Sequence, residues 1–241
     1  MFYDQAEFNI RCEWGRQGLE KLASISDVVI IVDVLSFSTC VDITCSNDAV
    51  ILPYRWKDKR AIAYAKSKDA ELANFERQSK GFSLSPSSLT NISVNTRLVL
   101  PSPNGSTLSL LSKSKHTLTG CLRNCMAIAK NAVQLGSSIT VIPAGEKWSN
   151  GTLRPAIEDL IGAGAIINYL TGTKSPEAEV ALSAFKTVGC LSSTLLSCSS
   201  GKELLGRGFK QDVELAAQFN CSDAVPKLEN DAYVNISSID R

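Results

Sequence analysis

The chain has 241 residues, 44% of them apolar and 20% charged, the balance of a soluble globular protein with one large core or two modest ones. Its 25 basic and 24 acidic residues nearly cancel, which argues against the basic surface that nucleic acid or an anionic membrane requires. No apolar run reaches the roughly 18 residues of a membrane span, and the N-terminus MFYDQAEFNIRCEWG lacks the basic and apolar regions of a signal peptide, so a cytoplasmic chain is expected.

The first element, AEFNIRCEW, sets Phe8, Ile10, Cys12 and Trp14 on one side and Asn9, Arg11 and Glu13 on the other, the pattern of a half-exposed strand. Val28 to Leu35 reads as a buried strand, after which Ser38 or Thr39 can cap a helix running toward residue 47. AVILPY predicts a third strand, a polar helix follows near 57–68, and ELANF predicts a short fourth strand. Residues 77–92 show no periodicity, and long loops of this kind tend to carry function. RLVLP is a strand running into SPNGST, and CLRNCMAIAKNAVQL is a helix with Leu122, Cys125, Met126 and Ala129 on one face. Ile139 to Ile142 is a strand ending in PAGEKW. PAIEDLIGAGAIINYL opens with Pro155 and the acids Glu158 and Asp159, and its Gly162-Ala163-Gly164 step allows close packing. Helices dominate 175–219, and DAVPKL is a late strand. The alternation predicts an α/β layered sandwich with a mostly parallel or mixed sheet, in one domain with two subdomains as the alternative.

The eight cysteines match no common zinc spacing, and the settings of Cys40, Cys45, Cys125 and Cys190 are those of buried free thiols. His116, the single histidine, is expected at the start of a short strand, so chemistry must rest on carboxylates, hydroxyls, amides, basic side chains or a hard metal ion.

Three strands end in polar residues: Asp33, then Ser102 to Thr107, then Ala144-Gly145-Glu146. If the strands are parallel, these ends share the sheet edge at which α/β proteins bind ligands. Asp33 can ligate Mg²⁺, act as base or nucleophile, or cap the following turn. Haloacid-dehalogenase-type phosphatases carry a second aspartate two residues after the nucleophile, where this chain has Leu35. PSPNGST offers backbone amides and a helix start to an anion, although Asn-Gly is also an ordinary turn. Arg77 with Lys80 can grip a phosphate or form a solvated charge pair, and Arg207, Lys210, Asp212 and Asp223 can be ligands or caps.

In order and spacing, VDVLSFSTC, FERQSKGFSLSPSSL, LVLPSPNGST, IPAGEKW, EDLIGAGAII and GFKQDVELAAQFNCSDAVP resemble the 2-phosphosulfolactate phosphatase family over nearly the whole chain. The resemblance implies an α/β fold of the family's own, an oligomer (at least a dimer), and Mg²⁺-dependent removal of phosphate from a small anionic phosphate ester, a step toward coenzyme M. It implies catalytic roles for Asp33, Glu76 and Asp159, and substrate contacts from Arg77, Asn104, Gly105, Ser106 and Gly145. It also implies metal ligation by Asp33, Asp159 and Asp212, with Asp223 as a further matching acid. Phe75 replaces the family's glycine before Glu76-Arg77, and Ser36 stands where members read arginine. That arginine's charge-assisted contact is worth on the order of 1.5–3 kcal/mol, and Arg55, Lys57, Lys59 and Arg60 can compensate if their loop folds over the site. A non-catalytic binder of a phosphorylated or sulfonated metabolite is the alternative, and a scaffold whose acids are caps is the third reading.

Overall fold

The computed structural model describes residues 2–77 and 80–237. Val28 to Val32, apolar and mostly β-branched, are all buried, as a strand covered on both faces requires. In chain order the elements are β1 (Ile10–Cys12), α1 (Gly15–Leu22), β2 (Val28–Val32), α2 (Phe37–Ser46), β3 (Val50–Tyr54), α3 (Arg60–Ser67), β4 (Glu71–Leu72) and α4 (Pro86–Leu89). There follow β5 (Arg97–Pro101), α5 (Gly105–Leu111), β6 (His116–Thr119), α6 (Cys125–Leu135), β7 (Ile139–Pro143), β8 (Glu146–Lys147) and β9 (Leu153–Arg154). The chain continues with α7 (Ile157–Ile167), α8 (Pro176–Lys186), α9 (Leu191–Ser197), α10 (Ser199–Gly206), α11 (Lys210–Ala216), β10 (Pro226–Glu229) and β11 (Ala232–Asn235).

Among the described residues nine strands form one mixed sheet in the order β1-β7-β2-β6-β10-β11-β3-β5-β4, while β8 and β9 pair separately. The first four strands are mutually parallel, as are the last three. The antiparallel β10–β11 hairpin joins the two blocks and reverses their sense. This corrects the expectation of one shared edge: β2 and β7 end together, but β5 runs the opposite way.

The end of β5 nevertheless meets the end of β2. Five strand steps separate them in the sheet order, about 24 Å if the sheet were flat, whereas the Gly105 amide lies 2.9 Å from Asp33 Oδ2. Residues 102–104 span at most about 10 Å, so the sheet must curl. Helices α2 and α5 lie inside the curl. Tyr233 on β11 meets the Phe37 ring of α2 edge-on at 6.0 Å and donates a 2.7 Å hydrogen bond to Ser109 of α5.

The largest apolar cluster joins β1, β2, β6 and β7 to α6, α7 and α8. A second surrounds α2 against β3, β5 and β11. The small-residue step of α7 packs as expected: a Cβ on Gly162 would lie 2.7 Å from Val34, and one on Gly164 would strike the backbone of Ala181 on α8. Other expectations need correction. Strand β1 is buried on both faces, and Arg11 is accommodated because its guanidinium donates to the carbonyls of Phe8 and Ile25. Pro155 precedes α7, whose first residue is Ile157, and Cys190 is exposed. Among the described residues no single helix is long and apolar enough to cross a membrane.

Candidate active site

The buried strand β2 carries Asp33 to the centre of a knot of turns. Its Oδ2 accepts the Gly105 amide at 2.9 Å, its Oδ1 accepts the Phe37 amide at 3.2 Å, and its own amide donates to Ser38 Oγ at 2.9 Å. Asp159, near the start of α7, repeats the device: it accepts the Val34 amide at 2.7 Å and the Gly145 amide at 2.9 Å. Each aspartate thus pins a glycine turn from another strand to the end of β2. Both glycines are required. Gly105 lies against the Phe37 ring where a Cβ would collide, and Gly145 has φ +66° with Leu153 and the Arg154 carbonyl beside it.

Asn104 ties the two turns together by donating to Glu146 Oε2 at 2.8 Å. Arg154 pairs in register with Glu146 across β8–β9, and its guanidinium donates to Ser200 Oγ at 3.2 Å and lies over the Trp148 ring at 5.8 Å. Burial pushes the Asp33 carboxyl up to about 6; its two backbone donors and Arg77 oppose the rise, and the charge of Glu158 adds to it. Burial, then the charge of Asp33, pushes Glu146 up to about 7 despite the opposing pull of Asn104 and Arg154. Asp159 is held well above the ordinary carboxylate range by burial and by the charges of Asp33 and Glu158. The strand ends therefore gather uncompensated negative charge, and the neutral form of a carboxyl is favoured there.

A second cluster adjoins this one. Arg77 donates to Asp212 Oδ2 at 3.0 Å and to Ser36 Oγ at 3.1 Å. Asp212 is fully buried and also accepts from Ser85 Oγ, at 2.8 and 2.6 Å, and from the Ser87 amide at 3.0 Å. The Arg77 and Arg207 guanidinium groups both lie over the Phe209 ring, at 5.8 and 5.7 Å. Of the basic run, Lys57 donates to the Phe75 carbonyl at 3.2 Å and lies within electrostatic range of Arg77, whereas Arg60 pairs with Asp58 and Arg55 turns to the Leu110 carbonyl.

The predicted residues therefore separate. Asp33, Asn104, Gly105, Gly145 and Asp159 do meet, but the glycine amides are engaged by the aspartates and are not free for an anion. Ser106 is buried and donates to the Leu100 carbonyl, so its hydroxyl supports the strand rather than a substrate. Glu76 is exposed beside Lys57, and among the described residues no hydrogen bond ties it to the strand-end acids. Asp223 is exposed and lines a separate cleft of about 350 Å³ with Arg123 and Asn235. Two residues central to the geometry lay outside the predicted set. Glu146 had a signal, a carboxylate after a strand-end Ala-Gly turn. Arg154 had none, because only the β8–β9 pairing brings it near.

The expected metal set also changes. Asp212 is saturated by Arg77, Ser85 and Ser87, which makes it the anchor of Arg77. Among the described residues no three His, Cys, Asp or Glu side chains are grouped to hold a metal ion, so Asp33, Asp159 and Asp212 do not form such a site. Mg²⁺ commonly takes only one or two carboxylates and keeps its waters. Asp33 fits that mode, since each of its oxygens accepts one amide and retains a lone pair, and a cation would offset the charge gathered there.

The sequence profile of the 2-phosphosulpholactate phosphatase family matches residues 16–231. The chain is 35% identical over 129 residues, 54% of each chain, to the 2-phosphosulfolactate phosphatase of Methanothermobacter thermautotrophicus. It is 27% identical to that of Methanocaldococcus jannaschii over 215 residues, 85% of this chain and 90% of the relative. To a probable 2-phosphosulfolactate phosphatase of Carboxydothermus hydrogenoformans it is 27% identical over 217 residues, 86% of this chain and 89% of that one. With the profile spanning most of its length, the chain belongs to the 2-phosphosulpholactate phosphatase family.

Proposed function

We propose that the chain is a phosphomonoesterase that hydrolyses a small phosphorylated hydroxy acid of the 2-phosphosulfolactate type, with Mg²⁺ as its cofactor. The observation that carries this reading is the neighbouring pair Asp33 and Glu146, two carboxyls at about 6 and about 7. Near neutral pH Glu146 is about half protonated, so it can both give and take a proton, while Asp33 is mostly ionised, as a ligand for a hard cation must be. The relatives named for this activity support the same reaction class.

The phosphoryl group lies against Asn104 and Arg154, whose N–H groups hold its non-bridging oxygens as charge redistributes. As the phosphorus–ester oxygen bond breaks, Glu146 gives its proton to the leaving alkoxide, and the water oxygen bonds to phosphorus. The water's proton then returns to the Glu146 carboxylate, so the products are the alcohol and inorganic phosphate, with the acid reset. Asp33 is the ligand we assign to the Mg²⁺, which when bound would polarise the phosphoryl oxygens and lower the pKa of a water. Asp159 holds the Gly145–Glu146 turn in place, and Glu76, for which the resemblance implies a catalytic role, has no part in this mechanism.

The test is phosphate release from a panel of phosphorylated three-carbon acids. Release with Mg²⁺ and none with excess EDTA is expected; silence across the panel with Mg²⁺ present would end the proposal. The second reading, a non-catalytic binder, draws on Ser36 holding Arg77 where a substrate-facing arginine was expected. It predicts thermal stabilisation by the same compounds without hydrolysis. We place the reaction in the cytoplasm, in a homodimer or larger oligomer, toward coenzyme M where that cofactor is made. A monomeric mass by light scattering would remove the oligomer from this proposal.

A further inference from the structure

The cleft of about 350 Å³ that Asp223 lines shares no residue with the strand-end site. It lies where four segments meet: the turn after α2, the β6–α6 connection, the stretch before β10 and the end of β11. Its volume falls within the roughly 300–1,000 Å³ of small-molecule sites. Two half-buried side chains bring fixed donors to it. Arg123 gives its Nε–H to the fully buried Asp42 at 2.7 Å and its Nη1 to the Leu215 carbonyl and the Gln218 side chain. Ser222 holds the other Asp42 oxygen at 2.6 Å, so the guanidinium is clamped, while its Nη2 has no acceptor among the described residues. Asn235 Oδ1 accepts from the Val225 amide at 2.9 Å, the Ser237 amide at 3.1 Å and the Ser237 hydroxyl at 2.8 Å. That network fixes which end of the amide is nitrogen and leaves Nδ2 without a protein acceptor among the described residues. Asp48 and Asp223 line the same cleft, are exposed, and make no side-chain hydrogen bond or ion pair among the described residues. Asp42 already cancels the charge of Arg123, so these two carboxylates stand uncompensated.

We propose that this cleft binds a small basic α-amino acid of the lysine type. The ligand's carboxylate accepts from Arg123 Nη2 and Asn235 Nδ2, the charge-assisted bonds that a clamped guanidinium and an oriented amide are built to give. Its two cationic groups face Asp48 and Asp223. A multiply charged anion would meet the two free carboxylates, and a plain diamine would leave both donors unanswered. The site is independent of phosphate-ester hydrolysis and stands or falls apart from it.

Titration calorimetry with L-lysine and with cadaverine, the same skeleton without its carboxylate, tests the site. Lysine should bind wild-type protein, and cadaverine roughly ten- to a hundred-fold more weakly, the loss expected of charge-assisted bonds. The Asp48→Asn, Asp223→Asn double variant alters two exposed side chains that hold nothing in place. It should bind lysine roughly three- to thirty-fold more weakly, the worth of two exposed ion pairs. Glu146→Gln, altered among the strand-end acids, should bind lysine as wild type does. No binding of lysine up to about 10 mM, or cadaverine binding as tightly as lysine, would overturn the site. So would a lysine Kd unchanged in the double variant, or one weakened by Glu146→Gln instead, which would put the ligand at the strand-end acids.

Discussion

Replacing Glu146 by glutamine removes a charge while keeping the shape and the acceptor that Asn104 uses. The carboxyl titrates at 4.5 in an unconstrained chain and at about 7 here, because burial and Asp33 disfavour its ionised form. A raised folded-state value means that the folded state binds the proton more tightly. The associated stability is fully present below pH 4.5 and is lost as pH rises through about 7. The full displacement corresponds to roughly 3 kcal/mol; partial solvent access and the coupling to Asp33 reduce it to about 1–3 kcal/mol. Glutamine cannot ionise, so Glu146→Gln should unfold about 2–12 °C higher than wild type at pH 8.5 and close to wild type at pH 5. Thermal unfolding followed by circular dichroism at the two pH values measures this. An equal shift at both, or a lower transition at pH 8.5, would refute the argument that Glu146 is held neutral by its surroundings.

Other outcomes follow from the same contacts. At saturating Mg²⁺ the kcat profile should fall above about pH 7 as Glu146 loses its proton; a flat profile from pH 5 to 8 would remove Glu146 from the chemistry. Asp212→Asn strands the largely buried Arg77 without its counter-charge, and should cost about 3–5 kcal/mol, or at least about 6 °C in Tm; a change under about 1 kcal/mol by urea titration would argue against an anchoring role. Gly105→Ala drives a Cβ into the Phe37 ring and should lower stability by about 1–3 kcal/mol, with an unshifted urea midpoint as the contrary result.

Much of the fold was legible in the sequence because local patterns dictated it. The five-residue apolar run of β2, the Gly162-Ala163-Gly164 step of α7 and the strand starting at His116 all behave as their composition requires. The sense of β5 was not legible, since relative strand direction depends on the β10–β11 hairpin, and the turn at Asn230-Asp231 that closes it lies in an unremarked polar stretch. The site divides in the same way. Asp33, Asn104, Gly105, Gly145 and Asp159 do converge, but the sequence could not say which acids bind backbone amides and which remain chemically available. That distinction underlies the proposal that Glu146 carries the proton, makes Asp212 the partner of Arg77, and introduces Arg154 through a two-residue strand pairing.

The central claim is that the end of β2 is a phosphate-ester hydrolysing centre with Glu146 as its proton donor. Release of inorganic phosphate from 2-phosphosulfolactate, by wild-type protein and by Glu146→Gln under the same Mg²⁺ conditions, tests it most directly. The account predicts Mg²⁺-dependent turnover by wild type and a loss of about 10²- to 10⁴-fold in kcat for the variant, which remains folded. No release by wild type, or undiminished release by Glu146→Gln, would contradict it.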